Sequence, residues 1–346
     1  MKVDVHAGVA DRASGRAWDA DTLALVFSTT KGAAAICVAR LVESGALSYD
    51  DAVAMHWPEF SVADKGDVTV RQVMSHQAGL PYVEQRLGMH ELLEVTPVVE
   101  ALARQRPLWE PGTAHGYHAL TYGWLVGELV RRVDGRSIGT YLAEEVSGPL
   151  GLDLWIGLPE SEEGRVATLA TAPAPTDPEE IALMMQVMGP GTMGFNALTM
   201  SGALAAFGGG PNPFNTRELH ATEMPAANGI TNAASLATMY AATIGEVDGV
   251  RLVSDDTMRT MSAEQVDGPD RSLVAESRFA LGFMLDNALV PLLGPNAFGH
   301  AGAGGSLGQA DPDTGVATGY VMNQMLAGIA GDPRPVRLDD AVRSCL

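Results

Sequence analysis

Cysteine is nearly absent from this chain of 346 residues, because only Cys37 and Cys345 occur. Two cysteines so far apart form neither a disulfide framework nor a metal-binding motif, since both need cysteines at short, repeated spacings. The eight histidines include no HExxH pair or comparable pattern. We therefore expect no metal site, and no motif indicates a cofactor.

Basic residues and long apolar runs are also scarce. Lys and Arg number 22 against 42 Asp and Glu, which gives a net charge of −20. Nucleic acids and anionic membranes bind basic surfaces, so neither is expected as a partner. No run of about 18 apolar residues is present to cross a membrane, and Met1–His6 lacks the apolar segment of a signal peptide. We expect a cytoplasmic protein that acts on a small molecule; its oligomeric state is left open.

Lysine is the scarcest basic residue, with Lys2, Lys31 and Lys65 against nineteen arginines. Lys31 nevertheless lies in a largely apolar segment, three residues after Ser28. Side chains at this spacing share one face of a helix. A desolvated lysine can lose its proton near neutral pH, whereas an arginine cannot. The placement favours proton transfer between Lys31 and Ser28. A Ser-x-x-Lys pair alone is a weak signal, because it also fits a helix cap beside a surface lysine.

Periodicity predicts strands at both ends of the chain and helices between them. Val3, Val5 and Ala7 alternate with polar residues, which predicts a strand before a turn at Asp11–Arg16. A largely buried helix is predicted to begin at Ser28 and to stop at Gly45. Further helices are predicted at 68–75, 120–133, 233–244 and 339–344, and strands at 279–285, 298–303, 307–310 and 316–322.

This order of elements predicts an α/β (α+β) fold, in which helices flank an antiparallel sheet shared by the two ends of the chain. Residues 1–47 and 232–346 would form the sheet domain, and residues 48–231 an inserted, mainly α-helical region, with the active site at their interface. The stretch 159–230 is rich in Pro and Gly loops and in Met. Its methionines fit either pliable core packing or a wall over an apolar pocket. They are Met184, Met185, Met188, Met193 and Met200.

Two matches to the Gly-x-Ser-x-Gly elbow of α/β-hydrolases compete with Ser28 as nucleophile. In that fold the acid and the histidine follow the serine. No histidine follows Ser306, because His300 is the last one. Ser137 follows a predicted helix instead of the required strand, and it fits better as the N-cap of the next helix. Both matches are therefore interpreted as accidental.

Three short motifs occur in a fixed order, namely Ser28-x-x-Lys31, Tyr117-His118-Ala119 and His300-Ala301-Gly302. This order resembles the S-x-x-K, Y-x-N and K-T-G motifs of serine β-lactamases and penicillin-binding proteins. The variant forms are most similar to family VIII carboxylesterases, which are relatives of class C β-lactamases. The resemblance covers nearly the whole chain, and its supporting stretches are Val70–Pro81, Trp109–Gly112, Gly116–Gly123 and Gly299–Gly305. It implies a β-lactamase/transpeptidase-like fold.

The resemblance also implies a reaction. Ser28 would attack an acyl carbon to form an acyl-enzyme. Lys31 and Tyr117 would take the serine proton and return one to the leaving group, provided that the cation lowers the pKa of the phenol. The N–H groups of Ser28 and Ala303 would form the oxyanion hole.

Two departures from the family pattern bear on the substrate. Ala119 replaces the asparagine that would hold an amide, and His300 replaces the lysine that would attract a carboxylate. With Gly302, which would permit close approach of substrate to the backbone, these residues would line the pocket. The changes favour neutral, short-chain carboxylic esters over penicillins and peptides.

Other functions stay open at this point. The same site would serve a β-lactamase, a D,D-peptidase or an acyltransferase, and a non-catalytic binding or sensor module on this scaffold is a further alternative. Relatives usually carry a helix and a strand before the segment that corresponds to Val3–Ala10. Either the start codon is misassigned, or this version begins at what is usually the second strand, and loss of a paired strand would expose a sheet edge.

Overall fold

A computed structural model describes residues 3–204, 212–326 and 331–346. The strands are β1 (Val9–Asp11), β2 (Arg16–Ala17), β3 (Ala24–Leu25), β4 (Leu154–Trp155), β5 (Ile230–Thr231), β6 (Val266–Asp270), β7 (Ala275–Phe279), β8 (Met284–Leu285), β9 (Phe298–Ala301), β10 (Leu307–Asp311) and β11 (Val316–Tyr320). The helices are α1 (Thr30–Glu43), α2 (Val53–His56), α3 (Val70–Met74), α4 (Met89–Glu94), α5 (Thr96–Arg104), α6 (Thr121–Asp134), α7 (Ile138–Leu142), α8 (Gly148–Leu150), α9 (Pro178–Met188), α10 (Met193–Thr199), α11 (Arg217–Ala221), α12 (Ala233–Ile244), α13 (Asp255–Ser262) and α14 (Pro333–Arg343).

The main sheet is antiparallel and six-stranded, in the order β11-β10-β9-β8-β7-β6. Each strand therefore pairs with its neighbour in the chain, as short connections favour. A smaller sheet has the order β3-β5-β4 and pairs Leu25 with Ile230. Because β3 ends just before Ser28, this pairing fixes the start of the segment that carries the serine.

The prediction for the N-terminal segment was wrong in two respects. Residues 3–7 form no strand, and Val3 and Val5 are 77% and 80% exposed. The first strands, β1 and β2, pair with each other around the predicted turn instead of joining the six-stranded sheet. Alternation of apolar and polar residues predicts which side chains of a strand could face a core. No core surface lies against Val3 and Val5, so they stay exposed. The division into domains at residues 47 and 232 stays a prediction.

Helix α1 is enclosed on nearly all sides. It begins at Thr30, two residues after Ser28, and ends beside Gly45, whose φ of 74° ends the helix as predicted. It packs against α6, α7, α13 and β9. Its small residues Ala33, Ala34 and Ala35 are 0–1% exposed, and small side chains permit such close packing. The apolar pattern therefore predicted a buried helix correctly, although it placed the start two residues early.

Several other predicted elements are confirmed with shifted ends. Helix α6 stops at Gly135, whose φ is 94°. Ser137 caps α7 by accepting a hydrogen bond from the Thr140 N–H, which agrees with its interpretation as a cap. The strand predicted at 279–285 is divided between β7 and β8, and the last helix begins at Pro333 instead of residue 339.

The methionine-rich stretch is more helical than predicted. Four of its methionines lie in α9 and α10, and Met200 follows α10. Met184 and Met185 are exposed, whereas Met200 is buried. Residues 205–211 of this stretch lie outside the described residues. None of the described helices combines the length and the hydropathy needed to cross a bilayer.

A substitution at Gly32 tests how closely α1 packs against the Tyr240 side chain of α12. A Cβ at Gly32 would lie 2.0 Å from Oη of Tyr240. Gly32→Ala is expected to lower the free energy of unfolding by about 2–3 kcal/mol, because α1 and α12 must move apart. Tyr240→Phe removes the clashing oxygen and should restore part of that loss. Urea unfolding of both single variants and the double variant tests this; a double variant no more stable than Gly32→Ala would show that the hydroxyl is not the obstacle.

Asp339 makes stability depend on pH. It is a buried carboxyl on α14 that accepts a hydrogen bond from Nε2 of Gln309 at 2.7 Å. Burial raises the pKa of Asp339 to about 6, whereas an aspartate in the unfolded chain titrates at about 3.9. Between these values the folded state binds more protons, so stability falls as pH rises through this range and the deficit persists above it.

Asp339→Asn removes the ionisable carboxyl and with it the loss of stability at higher pH. The asparagine amide keeps an oxygen that can accept the hydrogen bond from Gln309. We expect a gain of about 1–2 kcal/mol at pH 8 and little or none at pH 4. Thermal unfolding at both pH values measures the effect. An equal gain at both would mean that the charge of Asp339 is not its origin.

Candidate active site

Lys31 lies at the centre of the candidate site and is completely buried. Its Nζ lies 3.1 Å from Oγ of Ser28, 2.7 Å from the carbonyl oxygen of Ala119 and 3.0 Å from that of Ala226. Ser28 is half-buried in the turn between β3 and α1, Ala119 precedes α6, and Ala226 precedes β5. Three separate segments of the chain therefore surround one amine.

The burial of Lys31 favours its uncharged form. Within the described ranges no carboxylate pairs with it, and burial lowers its pKa well below 10.5. The carbonyls of Ala119 and Ala226 can only accept hydrogen bonds. A neutral amine has two hydrogens for these two carbonyls, which leaves its lone pair facing Ser28. The Ser28 hydroxyl can then donate its proton to Nζ, as a nucleophile does to its general base.

Tyr117 covers the amine on another side. The Nζ of Lys31 lies 4.7 Å from the centre of the Tyr117 ring, which also stacks on Phe279 at 5.7 Å. The Tyr117 hydroxyl makes no hydrogen bond of normal geometry to any described residue. Burial raises the pKa of Tyr117, and the nearby Ser28 hydroxyl opposes this only in part. The expectation that a cation lowers the pKa of this phenol was therefore wrong, because the neighbouring amine is itself desolvated.

The backbone of Tyr117 is held by a residue that sequence reasoning missed. The Tyr117 N–H donates to both carboxylate oxygens of Asp270, at 3.0 and 3.1 Å. Asp270 ends β6, is 3% exposed, and also accepts from the N–H groups of Ser272 and Leu273. It lies 153 residues from Tyr117 in the chain, and no motif marks it. No local sequence signal could have linked the two.

His300 lies on β9 as predicted and is completely buried. Its Nδ1 donates to the carbonyl oxygen of Ala301 at 2.7 Å, so the neutral ring carries its lone pair on Nε2. Burial lowers the pKa of His300 to about 3. Its ring centre lies 6.0 Å from that of Tyr117. The position that carries a lysine in the K-T-G motif therefore holds an uncharged side chain near neutral pH.

The glycine predicted to admit substrate has a different neighbour. The Gly302 N–H donates to the carbonyl oxygen of Ser306 at 2.7 Å. A Cβ at Gly302 would lie 2.2 Å from both the Oγ of Ser306 and the carbonyl oxygen of Val26. Glycine is required here because the segment before Ser28 packs against it. Close approach of substrate to Gly302 stays a prediction.

The remaining predicted residues contribute backbone groups. The N–H groups of Ser28 and Ala303 donate to no acceptor among the described residues, so both stay available for an oxyanion. Ala119 is buried and contributes its carbonyl to Lys31. Across residues 3–204, 212–326 and 331–346, no three His, Cys, Asp or Glu side chains gather as metal ligands.

Known proteins resemble this chain over most of its length. The sequence profile of the family described as Beta-lactamase matches residues 2–341. LipL of Mycobacterium tuberculosis, described as an esterase/beta-lactamase, is 38% identical over 340 residues, which are 94% of this chain and 75% of that protein.

Two solved structures share the fold at similar identity. A family VIII carboxylesterase has a TM-score of 0.87 and 38% identity, with 98% of this chain and 88% of that chain covered. A penicillin-binding protein homologue from Caulobacter crescentus has a TM-score of 0.83 and 40% identity, with the same coverage of 98% and 88%. These matches confirm the β-lactamase/transpeptidase-like fold and the resemblance to family VIII carboxylesterases. Because the family profile spans almost the whole sequence, this protein belongs to the beta-lactamase family.

Proposed function

We propose that this protein is a serine hydrolase that cleaves carboxylic esters through an acyl-Ser28 intermediate. The names of its relatives support an esterase, since LipL is called an esterase/beta-lactamase and the family VIII neighbour a carboxylesterase. One observation carries the proposal. The buried amine of Lys31 has carbonyls for two of its hydrogens and lies 3.1 Å from the Ser28 hydroxyl, as a general base for that hydroxyl must.

Acylation begins with proton transfer from Ser28 to Lys31 as Oγ bonds to the ester carbonyl carbon. The electron pair of the C=O bond moves onto the carbonyl oxygen, where the N–H groups of Ser28 and Ala303 stabilise it. The bond to the alcohol then breaks. The proton held by Lys31 reaches the leaving oxygen through the hydroxyl of Tyr117, which carries the proton without becoming a stable phenolate, because burial raises the pKa of Tyr117.

Deacylation reverses these roles. A water molecule attacks the acyl carbon and passes its proton by way of Tyr117 to Lys31. The acyl–Oγ bond breaks, Ser28 recovers a proton from Lys31, and the carboxylic acid leaves. No metal or redox step is needed, since every transfer moves a proton or an acyl group.

The charges of the pocket support a neutral substrate. His300 is uncharged near neutral pH because burial lowers its pKa to about 3, and Ala119 offers no side-chain amide. Neither residue attracts the carboxylate of a penicillin or a peptide, so short, uncharged esters fit better. Turnover of β-lactams is the second candidate, and the 40% identity to a penicillin-binding protein homologue supports it. D,D-peptidase and acyltransferase activities use the same groups.

Ser28→Ala should abolish hydrolysis of p-nitrophenyl butyrate, with a loss of about a thousandfold or more. A fluorophosphonate probe followed by peptide mapping should label Ser28 in the wild type and nothing in the variant. Ser137→Ala removes a hydroxyl that caps α7 and donates to Glu223, away from Ser28. It is the matched control and should keep both signals.

Three results would contradict this assignment in different ways. A probe adduct on another serine would identify a different nucleophile. Folded wild type that takes up no probe would favour a binding module. A kcat/KM for a chromogenic cephalosporin above that for the ester would overturn the choice of substrate.

The pH profile and Lys31→Arg test the proposed base. Only unprotonated Lys31 accepts the Ser28 proton, so kcat/KM should rise with pH and reach its plateau well below 10.5, because burial lowers the pKa of Lys31. Lys31→Arg keeps a cation that cannot lose its proton, and its kcat/KM should fall by about a thousandfold. Lys65→Arg is the control, because Lys65 is a buried lysine bound to backbone carbonyls elsewhere in the fold. A Lys31→Arg enzyme with normal activity would refute the role of Lys31.

A further inference from the structure

Ser306, whose match to the nucleophile elbow was interpreted as accidental, is buried in the turn 302–306 that also carries Ala303. We propose that Ser306 and Thr29 form a buried hydroxyl link that fixes the distance between the N–H groups of Ser28 and Ala303. Both would be positioning residues, since neither touches the reacting atoms. The inference rests on the proposed function, because it concerns the same reaction.

The direction of the link follows from its acceptors. Thr29 and Ser306 are each 1% exposed. The Oγ of Ser306 lies 2.7 Å from the carbonyl oxygen of Val26 and 3.0 Å from Oγ1 of Thr29. A carbonyl can only accept, so the single hydroxyl proton of Ser306 goes to Val26. The Thr29 hydroxyl must then donate to Oγ of Ser306. The result is a chain of two direct hydrogen bonds, from Thr29 to Ser306 and from Ser306 to the carbonyl of Val26.

This chain joins the two segments that carry the oxyanion donors. Val26 and Thr29 stand on either side of Ser28, while Ser306 ends the turn 302–306 between β9 and β10. The bond from the Gly302 N–H to the Ser306 carbonyl closes that turn around Ala303. One side chain thus fastens segments that are 277 residues apart in sequence.

The backbone beside Ser28 is strained and needs such support. Phe27 has a φ of 45°, in the left-handed region that side chains disfavour. The peptide bond between Phe27 and Ser28 carries the Ser28 N–H, so the direction of this donor depends on that conformation. Strained residues persist only where their surroundings fix them. The hydroxyl link holds the residues on both sides of the strained peptide, Val26 and Thr29.

The link should matter more for the transition state than for the bound ester. An oxyanion hole acts when charge develops on the carbonyl oxygen, and small displacements of its donors weaken it strongly. Ground-state binding of an ester depends less on these two N–H groups. Loss of the link is therefore expected to lower kcat and to leave KM nearly unchanged.

Thr29→Val and Thr29→Ser form the decisive pair. Valine has the shape of threonine without the hydroxyl, whereas serine keeps it. Active sites are first counted with the fluorophosphonate probe, and kcat and KM for p-nitrophenyl butyrate are then measured per site. We expect Thr29→Val to lower kcat about tenfold with KM within about twofold, and Thr29→Ser to recover most of that loss. Ser306→Ala should lower kcat at least as much, if it folds.

Thr243→Val is the matched control. Thr243 is a buried threonine on α12 whose hydroxyl donates to the carbonyl oxygen of Tyr240. Thr243→Val also removes a buried threonine hydroxyl and its hydrogen bond, but away from Ser28. The free energy of unfolding should therefore fall, while kcat per site stays at the wild-type value. This separates a positioning role from general destabilisation.

A trifluoromethyl ketone gives a second readout, because its tetrahedral adduct places an oxyanion between the two N–H groups. Its inhibition constant should rise in Thr29→Val by about the factor by which kcat/KM falls. Three results would overturn the link. They are a wild-type kcat per site in Thr29→Val, a loss of kcat in Thr29→Ser as large as in Thr29→Val, and an inhibition constant that Thr29→Val leaves unchanged. Wild-type protein that neither hydrolyses the ester nor takes up the probe would instead refute the proposed function.

Discussion

The burial of one amine is the constraint on which this site depends. In water Lys31 would hold its proton and could not act as a base. Burial in the core lowers its pKa, and among the residues that the structure describes no carboxylate pairs with it. The carbonyl oxygens of Ala119 and Ala226 accept its hydrogen bonds and hold it in place. The enclosure needs close packing around α1, which its alanines provide. Stability and catalysis are therefore linked. A more loosely packed core would admit water to Lys31, and the hydrated amine would keep its proton.

Backbone groups supply much of the site. Carbonyls of Ala119 and Ala226 hold Lys31, and a carboxylate holds the N–H of Tyr117. The N–H groups of Ser28 and Ala303 find no acceptor in the part of the chain that the structure describes. A backbone group has the same chemistry in every residue. Replacement of the family's asparagine by Ala119 therefore leaves the contact with Lys31 intact while it removes a polar side chain from the pocket.

The same division explains how one scaffold can serve different substrates. The groups around Ser28 depend on the packing of α1, α6 and the strands, whereas neighbouring side chains such as His300 set the charge of the site. Here His300 is neutral, since burial lowers its pKa to about 3. In the proposed function, this difference from the K-T-G lysine bears on which substrates are attracted, whereas the contacts between Ser28 and Lys31 do not involve His300.

The sequence by itself determined the features that depend on neighbours in the chain. The spacing of Ser28 and Lys31, the buried pattern of α1 and the glycine that ends α6 are local, so periodicity and capping rules predicted them. Periodicity failed at Val3 and Val5, because it cannot show whether a core surface lies opposite.

Tertiary structure alone decided which distant groups meet. Ala226 reaches Lys31 across 195 residues, Asp270 reaches Tyr117 across 153, and Ser306 reaches Thr29 across 277. The raised pKa of Tyr117 also depends on burial that no motif encodes. A local pattern fixes a residue's direction within its own helix or strand, but contacts and desolvation depend on how the helices and strands pack together.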